Sequence, residues 1–464
     1  MEVLINDFVL NYYPFKIIKY QTKKFLYVST TGSIFEIDDL TTSLLENEKK
    51  SSNDVYELVK NNCSKEKFDE LINQMIESCI LKTEETKKIV NKKQSSNNKI
   101  SSLILLVVQE CNLSCTYCYG NDGEYENKGK MSLKLGQKSI DYLMENSADL
   151  KDVSIVFFGG EPLLNFQLIK ELVTYAKEVG DIYHKNIIFS MTSNGTLLTE
   201  EINEFLENNK FSLTISMDGD KETHDKNRLY STNKGSYDKV VKDTAGLRDK
   251  TNITARATIS KAQLDVVKTF NHLNSLKFSK IALAPSVDIL DANDFEILKK
   301  TFSALVNEYE ILINNKQYNK ARRMTNVSKI ISRVHSGGMR KYFCGAGKNM
   351  LAIDIDGNIY PCHRFVGENN YRVGNVIDGL NNNKYEEKMN EFSIDSHFEC
   401  NDCWAKCICG GGCPQENLVT MKSTMKPNNT ICEFYKCFYE EVINLYISMN
   451  DEQKEALGLT FEEN

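Results

Sequence analysis

CNLSCTYCYG, residues 111–120, follows the apolar run Leu103–Val108 and places three thiols, Cys111, Cys115 and Cys118, on one short loop. Thiolates at this C-x3-C-x2-C spacing can hold three irons of a 4Fe-4S cluster and leave the fourth iron open to a small molecule. The competing readings are a zinc knuckle and a chance grouping of thiols. A structural zinc site closes with four tetrahedral ligands, and neither a His nor a fourth Cys lies near this loop.

The chain has 464 residues, 41% of them hydrophobic, ample for a sizeable core and for more than one domain. A formal charge of -7, with Lys and Glu interspersed, argues against a nucleic-acid partner. The start, MEVLINDFVLNYYPF, lacks the pattern of a secretory signal, and no stretch approaches the ~18 apolar residues of a membrane span. A cytoplasmic location away from membranes is expected. In that reducing setting, fourteen cysteines read as metal ligands or catalytic groups rather than bridges.

Residues 1–82 read as an α+β module. Phe15–Tyr20, Phe25–Ser29 and Ile34–Ile37 have strand character, and Phe68, Leu71, Ile72, Met75, Ile76 and Cys79 form one stripe of a helix capped by Ser64. Cys63 and Cys79 read as buried apolar residues. Residues 83–99 are almost wholly polar and are expected to be a linker. From 100 to 292 strand and helix signals alternate, with strands at Leu103–Val108, Val153–Phe158, Asn186–Met191, Phe211–Met217, Ile253–Ile259 and Lys280–Ala284. Six near-continuously apolar strands between helices predict an α/β fold with a parallel sheet curved into a partial (β/α)6 TIM-like barrel, its ligand sites at the strand C-termini. Residues 293–342 read as a helical bridge, and 343–464 as a Cys- and Gly-rich domain ending in a helix.

The cysteine loop, with Tyr117 before its third Cys, resembles the signature of the radical SAM enzymes. Four further barrel segments fit the resemblance: Gly159-Gly160-Glu161-Pro162, Ser193-Asn194, Ser216 with Asp218, and THDKNR ending in Arg228. The resemblance implies S-adenosyl-L-methionine (SAM) bound at the cluster of Cys111, Cys115 and Cys118. The GGEP backbone and the Glu161 carboxylate would receive its amino group, small polar residues its ribose, and Arg228 or Arg256 its carboxylate. Each Arg has an alternative as one half of a structural ion pair, and His224 reads as a structural hydrogen-bonding residue.

The C-terminal cysteines resemble the SPASM domain, which carries two auxiliary 4Fe-4S clusters; a double zinc ribbon is the alternative. By position, Cys400, Cys403, Cys409 and Cys432 would hold the outer cluster, and Cys344, Cys362 and Cys413 the inner one. Fully ligated members carry a further Cys at the C-x5-C spacing, where this chain has Met350. The inner cluster would then have an open iron able to take a substrate thiolate, unless Cys407 or Cys437 completes it. Sulfatase-maturing members place an acidic residue directly after the cysteine matching Cys362. Here that residue is His363, the candidate catalytic group.

The N-terminal module resembles the RiPP recognition element, with a winged-helix-like fold; a cap that stabilises the barrel is the alternative. Taken together, the resemblances imply an oxidoreductase-type radical SAM/SPASM peptide maturase of the sactipeptide or ranthipeptide kind. It would install thioether crosslinks in a leader-bearing precursor peptide and draw electrons from a flavodoxin- or ferredoxin-type reductant. Carbon-carbon crosslinking, formylglycine formation and a noncatalytic iron-sulfur redox sensor are the alternatives.

Overall fold

The computed structural model describes residues 7–92, 99–248, 250 and 252–459. The chain opens on a three-stranded antiparallel meander, β1 (Phe15–Tyr20), β2 (Lys23–Val28) and β3 (Ile34–Ile37). Helices Asp39–Glu46, Ser52–Val59 and Lys65–Glu77 follow, their first turns capped by the side chains of Asp38, Ser51 and Ser64. Leu26, Val28, Leu44, Val55, Phe68 and Ile72 are buried together, so this module has a core of its own. Cys63 is buried in that core, and Cys79 is buried beside Tyr13 in a small separate cluster.

Glu84–Lys92, expected as linker, is a helix. No apolar stripe announces it, because its first turn supplies the stability. The Thr83 hydroxyl accepts from the Thr86 amide at 3.1 Å, Thr86 Oγ1 donates to Leu81 O at 2.9 Å, and Lys87 pairs with Glu84 at 2.7 Å. Residues 93–98 of the expected linker lie outside the described residues.

The remaining strands come in two runs. The first is β4 (Ser102–Gln109), β5 (Leu113–Cys115), β6 (Gly129–Lys130), β7 (Asp152–Gly159), β8 (Asn186–Ser193), β9 (Ser212–Ser216), β10 (Arg228–Tyr230), β11 (Ile253–Ile259) and β12 (Lys280–Pro285). The second is β13 (Met350–Ile353), β14 (Asn358–Tyr360), β15 (Gly374–Asn375) and β16 (Gly379–Leu380). Strands β4, β7, β8, β9, β11 and β12 are parallel neighbours in that order, at the six places where sequence periodicity puts strands. Leu103 to Val108 are all buried, as a strand covered on both faces requires. Helix Phe166–Ile182 buries Leu168, Ile169, Leu172, Val173 and Ala176 against the sheet.

The sheet does not stop at β4. Strand β13 pairs with it in parallel, Met350 opposite Ser102, and β14, β15 and β16 extend the same sheet antiparallel into the Cys-rich segment. Barrel and C-terminal domain therefore share one continuous ladder of backbone hydrogen bonds. Helices Ala292–Asn314 and Asn429–Ser448 pack on each other through Phe302, whose ring lies 5.0 Å from Phe434 and 5.3 Å from Phe438. The N-terminal module docks on this C-terminal layer. Tyr27 meets Trp404 edge-on at 6.0 Å, Lys16 pairs with Glu440 at 3.0 Å, and Gly338 N donates to Thr31 O at 2.6 Å. Among the described residues, no helix is long and apolar enough to cross a membrane.

Candidate active site

The six parallel strands end around one cavity of about 470 Å³, within the range that takes a cofactor-sized ligand. Cys111, Cys115 and Cys118 line one side of it, and His363, Arg364 and Glu416 of the C-terminal domain line the other.

The cysteine loop is held by a small ribbon that sequence reading missed: β5 pairs antiparallel with β10, setting Arg228 opposite Cys115. Each of two thiols meets N–H groups. Cys111 Sγ accepts from Leu113 N at 3.4 Å and from Asn194 Nδ2 at 3.8 Å; Cys115 Sγ accepts from Arg228 Nη1 at 3.9 Å. Burial pushes the Cys111 thiol up to about 12, so the proton is held tightly until a metal replaces it.

Within the GGEP segment it is Glu161 that departs from the sequence expectation. Gly159 and Gly160 line the cavity with backbone. Glu161 is fully buried behind it. One carboxylate oxygen accepts from Leu163 N at 3.1 Å and Ser193 Oγ at 2.8 Å, the other from Asn194 N at 2.7 Å. The carboxylate thus ties the end of β7 to the end of β8 and aims Ser193 and Asn194 into the cavity, while burial pushes its pKa up to about 7. Pro162 opens the short helical turn beneath and is itself buried.

Asp218 is buried as well. It accepts from the Tyr117 hydroxyl and from Thr258 N at 3.0 Å, and pairs with Arg228 at 3.2 Å. Arg228 also lies 5.4 Å over the Tyr117 ring, and its Nε has no hydrogen-bond partner among the described residues. Arg228 is therefore half of an ion pair with one donor left. Ser216 stays on the cavity wall.

The two candidate arginines part company in the fold. Arg228 stands on the Cys115 side. Arg256 feels the charges of Glu416 and Arg364 on the opposite side, makes no hydrogen bond or ion pair among the described residues, and has its pKa lowered by desolvation. Its surface opens into the cavity although protein crowds the guanidinium.

His224 does what the sequence reading expects of it. Fully buried, it accepts from Asp218 N at 3.4 Å through Nδ1 and faces Ser236 Oγ at 3.0 Å through Nε2. Burial lowers its pKa from 6.5 to about 4. In that window the unfolded chain binds a proton that the folded chain does not, so stability falls as pH falls. The expected loss is roughly 2 kcal/mol between pH 6.5 and 5. Urea denaturation at pH 7 and pH 5 should show a smaller difference in His224→Gln than in the parent; equal differences would remove His224 from this role.

In the C-terminal domain the thiols fall into two groups. Cys400, Cys403, Cys409 and Cys432 line one pocket, which Cys413 also borders, and each of Cys400 and Cys432 is pushed up to about 12 by burial and by the other thiols. Cys362 and Cys413 each feel the charge of Cys344. The spare thiols stand apart from the second group: Cys407 is buried and feels the charges of Lys406, Asp395 and Cys403, and Cys437 feels those of Glu441 and Lys299. Cys344 sits on the turn that leads into Met350 at the head of β13.

No group of three or more His, Cys, Asp or Glu side chains converges on a point that could hold a single metal ion among the described residues. Cys111, Cys115 and Cys118 line the central cavity, and Cys400, Cys403, Cys409 and Cys432 line a second pocket, an arrangement with room for a multi-iron cluster at each.

His363 lies between the two sides, its ring 4.4 Å from Phe158 and 6.2 Å from Tyr119. Burial beside Arg364 and Arg256 lowers its pKa to about 3 and keeps the imidazole neutral. Tyr119, Arg364 and Glu416 were missed from sequence. Tyr119 and Arg364 each follow directly on a singled-out residue, Cys118 and His363, and Glu416 lies three residues after Cys413.

Two family models match the chain: the radical SAM superfamily over residues 105–255, and SPASM, an iron-sulfur cluster-binding domain, over residues 344–404. The cysteine-type anaerobic sulfatase-maturating enzyme of Clostridium novyi (strain NT) is 26% identical over 363 residues, covering 74% of this chain and 96% of the relative. The radical SAM cyclopropyl synthase TigE of Paramaledivibacter caminithermalis is 22% identical over 451 residues, 90% of this chain and 92% of the relative. Among solved structures, anSMEcpe with bound AdoMet and Cp18Cys peptide superposes with a TM-score of 0.64 at 23% identity, covering 76% of this chain and all of that one. Streptococcus suis SuiB bound to its precursor peptide SuiA gives 0.51 at 16% identity, covering 92% and 100%. These likenesses place the chain on the mixed α/β radical SAM fold with a C-terminal SPASM domain. The two domains imply 4Fe-4S clusters, one of them SAM-binding and the others auxiliary, and SAM itself.

Proposed function

We infer that this chain, which carries a radical SAM domain and an SPASM domain, is a peptide maturase that joins a cysteine sulfur to a carbon of a ribosomally made precursor. The observation that carries the reading is a cavity lined both by Cys111, Cys115 and Cys118 and by His363, Arg364 and Glu416, which neighbour Cys362 and Cys413 in the chain. A peptide in it reaches both at once.

Bound SAM and its cluster would supply a 5'-deoxyadenosyl radical that removes one hydrogen atom from the peptide. The protein's residues position and shield. Gly159 and Gly160 offer backbone to the SAM amino group, Ser193, Asn194 and Ser216 offer polar groups to its ribose, and the Arg228 guanidinium on the cavity wall offers positive charge to its carboxylate. Tyr117, clamped by Asp218, closes the wall beside Cys118. Phe158, Tyr119 and neutral His363 form the part of the wall that faces the peptide and keep water from it. The N-terminal module fits capture of a leader by β-augmentation. Strand β3 is an edge of its sheet, while β1 lies against helix Asn429–Ser448 and is partly covered.

Thioether formation removes one hydrogen atom from carbon and one proton from the thiol, and one electron leaves to an acceptor. The peptide loses about 2 Da per crosslink, and its cysteine no longer reacts with iodoacetamide. A short Cys-rich peptide encoded beside this chain, incubated anaerobically with SAM and dithionite, tests both. An unchanged peptide mass despite SAM cleavage would reject the reading. Met350→Cys is expected to keep iron content and SAM cleavage while losing crosslinking at least tenfold, because a fixed thiolate takes the position meant for the substrate. Crosslinking at the parent rate would show that substrate sulfur does not bind there.

Formylglycine formation is the second reading, favoured by the extent of the likeness to the Clostridium novyi enzyme. His363 in place of an acidic residue weighs against it. Loss of sulfur from the peptide would decide for it.

A further inference from the structure

Cys344, Cys362 and Cys413 make a group of three thiols, and neither Cys407 nor Cys437 faces it. A carboxylate does. Glu416 lies on the first turn of helix Pro414–Met421, directly after Cys413. Arg364 Nη1 donates to Glu416 Oε1 at 2.7 Å and lies 3.9 Å from Cys413 Sγ, so one nitrogen bridges the carboxylate and the thiol. The second oxygen, Oε2, has no hydrogen-bond partner among the described residues. Glu416 also lines both the central cavity and the outer cysteine pocket.

We propose that the Glu416 carboxylate is the fourth protein donor to the iron-sulfur group held by Cys344, Cys362 and Cys413, an exchangeable donor that gives way to an incoming thiolate. The proposal rests on reading those three cysteines as one cluster site. A carboxylate oxygen is a hard ligand and a thiolate a soft one, so iron in a sulfide cluster prefers the thiolate when it arrives. Anion replaces anion, and the charge of the site is unchanged. Arg364 gives the displaced carboxylate a partner, so no bare charge is left in the cavity. Met350 stands where a fixed thiolate would make such exchange impossible.

The test uses the full chain with Cys111, Cys115 and Cys118 each changed to Ala, reconstituted anaerobically, so that any exchangeable iron belongs to the C-terminal domain. Such protein should hold about eight irons. Titration with 2-mercaptoethanol and, separately, with imidazole is followed by electron paramagnetic resonance of the reduced clusters. Adding Glu416→Ala should tighten the apparent affinity for both probes at least tenfold, and adding Glu416→Cys should abolish the response to both. Equal affinities with and without Glu416 would overturn the proposal. So would a gain for the thiolate alone, which marks charge repulsion, since imidazole is neutral. If Glu416→Ala loses iron, recovery of about eight in Glu416→Cys supports ligation, and failure to recover it overturns ligation. About four irons in the starting protein would instead reject the cluster reading beneath the proposal.

Discussion

Changing Cys111, Cys115 and Cys118 together to Ala should abolish conversion of SAM to 5'-deoxyadenosine, to below a thousandth of the parent rate, and lower bound iron from about twelve to about eight per chain. The three thiols are the cysteines that line this cavity: the others belong to the two C-terminal groups, are the spare Cys407 and Cys437, or are buried in the N-terminal module. No neighbouring side chain can take over, because Asn194 and Arg228 reach the loop as donors and not as metal ligands. The fold should survive, since Cys118 is exposed and Cys111 and Cys115 are only half-buried. Chromatographic assay of 5'-deoxyadenosine with iron analysis checks both halves. Cleavage within tenfold of the parent would mean that the loop does not hold the cluster.

Gly159→Ala should be nearly as damaging, for a steric reason. Gly159 has φ +142°, and a Cβ there would lie 2.1 Å from Val108 O; at Gly160 it would lie 2.1 Å from Glu110 O. Here β7 runs so close to the end of β4 that only glycine fits, and the register between them shifts at Leu106–Val108. Both partners are backbone and neither can swing aside. The expected cost is about 3–5 kcal/mol, with SAM affinity falling by more than tenfold as the Gly159–Gly160 backbone leaves its place. Gly246→Ala is the control, since nothing lies within 4 Å of its Cβ position. Urea denaturation and equilibrium SAM binding are the measurements, and near-parent values for Gly159→Ala would refute the close-approach argument.

The six barrel strands were legible because burial on both faces forces continuous apolar runs such as Leu103–Val108. The cysteine groups were legible because metal chemistry fixes residue type and leaves little freedom in spacing. What stayed hidden depends on direction and on distance along the chain. Glu161 and Asp218 follow strands in the expected places, yet neither lines the cavity; both are buried and hold the residues that do. A motif names a residue without saying which face it takes. The β4–β13 pairing joins residues nearly 250 positions apart, and no local pattern announces it. Glu84–Lys92 escaped because its helix is set by threonine capping, where periodicity is silent.

The docking of the N-terminal module has an experimental use. Trp404 is the single tryptophan of the chain. It follows Cys403 of the outer thiol group, meets the Tyr27 ring edge-on, and has Lys16 Nζ 5.7 Å from its own ring. An indole placed there is a built-in optical probe of two events at once. Iron-sulfur loading beside Cys403 would quench its emission, and undocking of the module would expose it to water and shift that emission to the red. Stopped-flow fluorescence of unlabelled protein could thus time cluster insertion against leader engagement without adding a dye.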